Sequence, residues 1–194
     1  MLHVICVAYE KPIELRMLID SFMRQTDARW LVHVIHDGPA SEEIKKVISL
    51  YSETGKVDYH ETSERIGGFG HSNRKMMLEK IEGQYDDYVL MTNDDNQYVA
   101  RFVEYFLGEC MADVGMVYCN TIHNYLQYEI LYTEIKENKI DMGSFIVRMD
   151  VAKKVGFKHN HVSADGAYAE ECARECGRTG LRTVRIPKAL FIHN

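Results

Sequence analysis

The stretch Val89-Leu90-Met91-Thr92-Asn93-Asp94-Asp95-Asn96 decides the fold. Tyr88 to Met91 is a short unbroken apolar run, the pattern of a strand buried on both faces, and it stops abruptly at amide and carboxylate side chains. In open α/β sheets the carboxyl end of the strands is where ligands bind. Two adjacent aspartates flanked by asparagines supply hard oxygen donors suited to Mg2+ or Mn2+ there. The competing reading is a helix N-cap, because an amphipathic segment follows at once; a cap uses one oxygen donor, whereas four polar residues stand here.

On the N-terminal side, strands and helices alternate. Leu2 to Ala8 reads as a buried strand broken by Tyr9-Glu10-Lys11-Pro12, and Leu15, Leu18, Ile19, Phe22 and Met23 form one helical stripe. Trp30 to Ile35 is the next strand, ending at His36-Asp37-Gly38-Pro39. Ser41 is placed to cap a helix whose inner face is Ile44, Val47, Ile48 and Tyr51. A short strand, Val57 to His60, leads to Gly67-Gly68-Phe69-Gly70 and a helix with Met76, Met77 and Ile81 turned inward. Glycines this dense let backbone approach a ligand closely, and the following helix N-terminus suits phosphate. The dinucleotide fingerprint is incomplete, since His71, Ser72 and Asn73 follow Gly70 with no third glycine in place.

On the C-terminal side, apolar spacing predicts a helix from about Tyr98 to Met111, with Val99, Phe102, Val103, Phe106, Leu107 and Cys110 on its core face. A strand, Val114 to Cys119, follows. Organisation then changes: Tyr125 to Lys136, rich in tyrosine and β-branched residues, reads as an antiparallel strand or hairpin. Asp141-Met142-Gly143-Ser144 opens a strand through Val147, and Asp150 to Val155 is a short helix closed by Gly156. Another helix starts at Asp165, buries Ala169, Cys172, Ala173 and Cys176, and closes at Gly177. Two short strands, Thr183 to Ile186 and Ala189 to Ile192, precede His193-Asn194. The expected architecture is one α/β domain over residues 1–194, with a mostly parallel, Rossmann-like sheet up to about 120 and a smaller mixed or antiparallel part in 121–194.

Composition narrows the function classes. A formal charge of -6 over 194 residues argues against a broad basic surface for nucleic acid. Five cysteines, an odd number and mostly inside apolar segments, suit reduced thiols in a cytoplasmic setting. Cys172 and Cys176 with His159 and His161 match no zinc spacing. No apolar run reaches the roughly 18 residues of a membrane span.

Taken in order, His36-Asp37-Gly38, Gly67-Gly68 with Asn73, Asn93-Asp94-Asp95-Asn96, Gly143-Ser144, Ala164-Asp165 and a late histidine resemble family 2 of the GT-A-fold glycosyltransferases. The resemblance implies the GT-A fold and a metal-dependent inverting transfer of a sugar from a nucleotide diphosphate donor, a UDP-sugar such as UDP-glucose or UDP-galactose, to the hydroxyl of a saccharide or other acceptor. It implies that Ala8, Tyr9, Asp37, Gly67, Gly68, Asn73, Arg74, Asn93 and Asp94 bind the nucleotide sugar, with Tyr9 packing on the base and Asp37 bonding the uracil ring. Asp95 and His193 would hold Mn2+ (or Mg2+), and Asp165 would be the catalytic base. Asn93 stands where the family often has its first aspartate, Ser72-Asn73-Arg74 replaces its Arg-Asn pair, and Ala100 replaces a common proline. One imidazole in an oxygen-dominated shell favours Mn2+ over Mg2+. No integral membrane segment or nucleic-acid partner is implied, and a homo-oligomer is compatible. The alternatives are a non-catalytic nucleotide-sugar-binding module and a sugar-1-phosphate nucleotidyltransferase, although the latter needs a glycine-rich loop after the first strand, where Tyr9-Glu10-Lys11-Pro12 stands.

Overall fold

The computed structural model describes residues 1–194. Strand β1 (Leu2–Ala8), helix α1 (Pro12–Met23), β2 (Trp30–His36), α2 (Glu42–Ser49), β3 (Val57–Glu61), α3 (His71–Lys80) and β4 (Tyr88–Asn93) follow the order that the apolar patterning predicts. Ser41 caps α2 by accepting from the Ile44 N–H, and Pro12 opens α1 where its missing N–H is not needed. β1 pairs in parallel with β2 and β4, and β2 with β3. With neighbours on both edges and helices on both faces, β1 is buried throughout. Leu2, Val4 and Cys6 join the core beneath α1, α2 and α4, while Ile5 and Val7 join the second core beneath α3, α5 and α6.

The remaining elements are β5 (Gln97–Tyr98), α4 (Phe102–Glu109), β6 (Val114–His123), β7 (Glu129–Leu131), β8 (Phe145–Arg148), α5 (Met149–Val155), α6 (Ala164–Arg178) and β9 (Arg182–His193). β8 lies antiparallel between β4 and β6, β9 runs parallel to β6, and β5 and β7 are short antiparallel additions. The sheet order is β3-β2-β1-β4-β8-β6-β9-β5, with β7 beside β6. Parallel pairing thus gives way to mixed pairing immediately after the acidic edge of β4.

Several local expectations are corrected. The helix expected from Tyr98 begins at Phe102, because Gln97 and Tyr98 pair with Ile192 and Phe191 as β5. The Tyr98 hydroxyl donates to Thr92 Oγ1 at 2.8 Å, and Val99 turns outward instead of joining the core stripe. The two final strands are one, β9, in which Pro187 and Lys188 occupy an irregularity in the pairing with β6, a position that tolerates proline's missing donor. The hairpin expected over Tyr125 to Lys136 is only three residues of strand. α6 passes through Gly177 and ends at Arg178. Met76 is exposed, and the buried face of α3 begins with His71, Asn73 and Arg74. Polar residues buried at a helix start serve something other than packing.

Gly70, at φ +74°, lies so close to β1 that a Cβ would stand 2.5 Å from Val7 Cγ1, whereas Gly67, at φ +73°, faces open space. Gly70→Ala is expected to destabilise the fold by about 2–4 kcal/mol and Gly67→Ala by about 1 kcal/mol, since only the first adds overlap to left-handed strain. Urea unfolding of both variants checks this; equal midpoints would remove the Val7 overlap from the account.

Candidate active site

Asp37 follows β2 directly and is almost fully buried. Its Oδ1 accepts from the Ile66 N–H at 2.9 Å and from Asn73 Nδ2 at 3.0 Å, and its Oδ2 accepts from the Gly67 N–H at 2.9 Å. Burial works against its charge, but these donors outweigh burial and hold the carboxyl below its ordinary pKa. Three of the roughly four acceptor sites of a carboxylate are engaged, so Asp37 anchors the glycine loop before it touches any ligand. Asn73 Oδ1 is buried without a partner. The Ala8 carbonyl accepts from the Asp37 N–H at 2.9 Å, and the Tyr9 N–H donates to Asp94 Oδ2 at 2.9 Å. The half-exposed Tyr9 ring lies beneath the Arg65 guanidinium, 3.8 Å from the ring centroid. These contacts gather at the ends of β1, β2 and β4, the carboxyl ends of the parallel strands.

Next to these residues is a cavity of about 490 Å³. Arg74, on the first turn of α3, reaches into it fully buried, donating to the Phe69 carbonyl at 2.7 Å and to Asn93 Oδ1, while its Nε has no partner. Burial lowers its pKa, opposed by the charges of Asp165 and Asp141. A Cβ at Gly68 would stand 3.1 Å from Asn160 Oδ1, so the glycine turn lies against the loop before α6. Asp165 enters the cavity from the start of α6 and accepts from the Met142 N–H at 3.2 Å. Burial, reinforced by the charge of Asp141, pushes its carboxyl up to about 6. The neighbouring acidic residues on α6 do not compete for this place: Glu170 accepts from the Glu137 N–H, and Glu171 lies 3.3 Å from His159.

On the same cavity wall the ligating atoms of His123, Asp141 and His193 all lie within 4.8 Å of one another. β6 and β9 bring His123 opposite His193 in register. His193 Nδ1 stands 2.9 Å from Asp141 Oδ2, yet it is buried without a hydrogen bond. Two potential ligands at close approach but out of hydrogen-bond alignment fit a shared cation. Two imidazoles with carboxylate suit Mn2+ better than Mg2+. Burial disfavours the charged imidazolium, but the Asp141 carboxylate outweighs it and raises the pKa of His193.

Asp95 does not join this trio. Its Oδ2 accepts from Lys11 Nζ at 2.6 Å, while Oδ1 is buried and unpartnered. The Asn194 side chain donates to the Asp95 carbonyl at 2.9 Å, tying the end of β9 to the acidic turn. Asp94, pushed up to about 7 by burial and further by Asp95, opposed by the Tyr9 N–H, completes the turn. Of the residues singled out in the sequence, Arg74, Asn93, Asp165 and His193 line one cavity, and Ala8, Tyr9, Asp37, Gly67, Asn73 and Asp94 meet through hydrogen bonds at the strand ends beside it. Sequence reasoning missed His123 and Asp141 as possible ligands, Lys11 and Arg65 as partners of Asp95 and Tyr9, and His71 in the cavity wall. The only available hint was Asp141 two residues before Gly143-Ser144.

By sequence, the chain matches no family model and no curated relative. By structure, S. aureus TarS superposes with a TM-score of 0.77 at 15% identity, covering 100% of this chain and 36% of that one. The mannosyltransferase PcManGT from Pyrobaculum calidifontis, in complex with GDP-Man and Mn2+, gives 0.72 at 15% identity, covering 99% and 56%. GalNAc-T7 with UDP, GalNAc and Mn2+ gives 0.72 at 10% identity, covering 100% and 43%. The fold is that of the GT-A glycosyltransferases. This chain spans between about a third and three fifths of the length of those proteins. No helix is long and apolar enough to cross a membrane.

A carboxyl raised in the folded state costs stability once it must ionise. Below the unfolded value near 4 both states are protonated and nothing is lost; the loss grows as pH rises to about 6 and is complete above it. In chelator-treated protein, Asp165→Asn is therefore expected to raise stability at pH 7.5 by an amount on the order of 2–3 kcal/mol, with the gain vanishing near pH 4. Thermal melts across that range measure it; a destabilised variant at pH 7.5 would contradict the assignment of buried, repelled charge.

Proposed function

We propose that the chain is a metal-dependent inverting glycosyltransferase that moves a sugar from a nucleoside diphosphate donor, a UDP-sugar, to an acceptor hydroxyl. The observation that carries this reading is the meeting of Asp165, Arg74, Asn93 and the His123–Asp141–His193 cluster on one cavity at the carboxyl ends of the parallel strands. The bound ligands named for PcManGT and GalNAc-T7, a nucleotide with Mn2+ in each, support the same class of donor.

In this reading the base lies along Tyr9, taking the face that Arg65 covers, and Asn73 Oδ1 is the buried acceptor for an N–H of the ligand. His123, Asp141 and His193 would hold a divalent ion, with the unpartnered Asp95 Oδ1 as a further donor; when bound, such an ion neutralises charge developing on the diphosphate leaving group. Arg74 adds fixed positive charge beside Asn93, where the donor diphosphate enters. Asp165 takes the proton of the acceptor hydroxyl. Its raised pKa still leaves it ionised at neutral pH, and a base tuned toward the working pH transfers protons more effectively. The only other carboxylate lining the cavity, Asp141, accepts from the Gly143 N–H and faces His193, which supports a single displacement with inversion at the anomeric centre.

Two measurements test the reading. UDP should bind at least tenfold more tightly with Mn2+ than with chelator, and His193→Gln or Asp141→Asn should abolish that difference, since removing a ligand is felt only when the ion is present. Equal affinity in both conditions would remove the metal. Asp165→Asn should lower turnover by about two to four orders of magnitude with UDP affinity retained. Near-normal turnover, or a product of retained configuration, would move the base elsewhere.

A further inference from the structure

The mouth of the cavity carries aromatic side chains that the fold does not need. Phe69 is 66% exposed, and its backbone is held at φ +57°, a conformation unfavourable for a residue with a Cβ. The Arg74 side chain fixes it there by bonding the Phe69 carbonyl. An aromatic ring kept in water by a strained backbone contributes nothing to the core, and strain maintained in this way marks a functional position. Tyr125, on the turn between β6 and β7, is 83% exposed. Its N–H is held by the Asn124 side chain at 2.8 Å, and its ring stands 5.2 Å from His123 and 6.0 Å from His193, beside the proposed ion site. Both rings line the same cavity as Asp165.

The charge of the cavity excludes one broad kind of acceptor. No lysine lines it, and its single arginine, Arg74, is committed to Phe69 and Asn93 and faces Asp141 and Asp165. His71 remains neutral at physiological pH, burial having pushed its pKa down to about 4. A divalent ion and a donor diphosphate arrive with opposite charges that largely cancel, leaving two aspartates to set the field where the acceptor enters. A phosphate or carboxylate on the acceptor would be repelled. What fits exposed aromatic faces beside carboxylate, amide and hydroxyl groups is a molecule with an apolar C–H face and hydroxyl edges. Asn138 and Ser163, hydrogen-bonded to each other at 2.9 Å on the same wall, offer such polar partners.

Resting on the transferase reading, we propose that the acceptor is an uncharged saccharide, whose ring stacks on Tyr125 and Phe69 and whose hydroxyl is presented to Asp165. The test is calorimetry on the whole chain with Mn2+ and saturating UDP, titrating cellobiose, maltose, lactose and N,N′-diacetylchitobiose, and in parallel glucose 6-phosphate and micellar polyprenyl phosphate. At least one neutral disaccharide should bind, and the phosphorylated ligands should bind at least tenfold more weakly. Tyr125→Ala should weaken the saccharide about threefold to tenfold, Tyr125→Phe should restore it, and UDP affinity should stay unchanged in both. Phe69→Gly, which relieves the backbone strain while removing the ring, should weaken the saccharide similarly without loss of stability. Saccharide binding that ignores both rings, tighter binding of either phosphorylated ligand, or no saccharide binding by a UDP-loaded protein would overturn the acceptor assignment alone. Failure to bind any of UDP, GDP or CDP with Mn2+ would overturn the transferase reading beneath it.

Discussion

The Asp37 carboxylate is the contact on which the rest of the site depends. It sits where β2 ends and accepts from Ile66, Gly67 and Asn73, so one side chain joins the sheet, the glycine loop and the first turn of α3. Once Asn73 is fixed, the neighbouring Arg74 is aimed at Asn93 and at the Phe69 carbonyl, and the glycine turn closes against Val7. A buried carboxylate left without these donors would carry a heavy desolvation cost, and the three N–H groups would be orphaned with it. The pieces therefore stand or fall together.

The alternation of strands and helices up to β4 was legible because period-two and helical apolar patterns are local properties of the chain. The acidic edge was legible for the same reason: a buried run ended in carboxylates. Tyr98 was misread because apolar residues continue at helical spacing from strand into helix, and only pairing with Phe191 and Ile192 distinguishes β5 from a helix start. His123 and Asp141 could not be found by spacing at all. His123 meets His193 through the register of β6 on β9, and Asp141 arrives on a turn before β8 that enters the sheet antiparallel between β4 and β6. Such meetings are made by long-range sheet topology, about which neighbouring residues carry no information. At Asp95, identified as a ligand from the motif, the fold gives one oxygen to Lys11 and leaves the other buried and unpartnered.

The site works against the stability of the domain that contains it. Asp94 and Asp165 are both buried where ionisation is disfavoured, and Arg74 is buried where its charge is only partly compensated. The two apolar cores on either face of the sheet offset this strain, with 27 residues in one and 23 in the other. The arrangement is what a charged ligand would find ready: groups already desolvated and oriented, whose mutual repulsion a cation or a proton transfer relieves.

The bond between the Asn194 side chain and the Asp95 carbonyl spans 99 positions of sequence. On a growing chain, β1 to β4 and the acidic turn emerge long before His193, so the trio of ligating groups does not exist until β9 has paired with β6. Imidazole and carboxylate groups scattered along an unfinished chain hold cations weakly and without discrimination. An ion held by this trio would thus be chosen in the folded domain, by the spacing of three side chains, instead of by whichever metal is most abundant during synthesis.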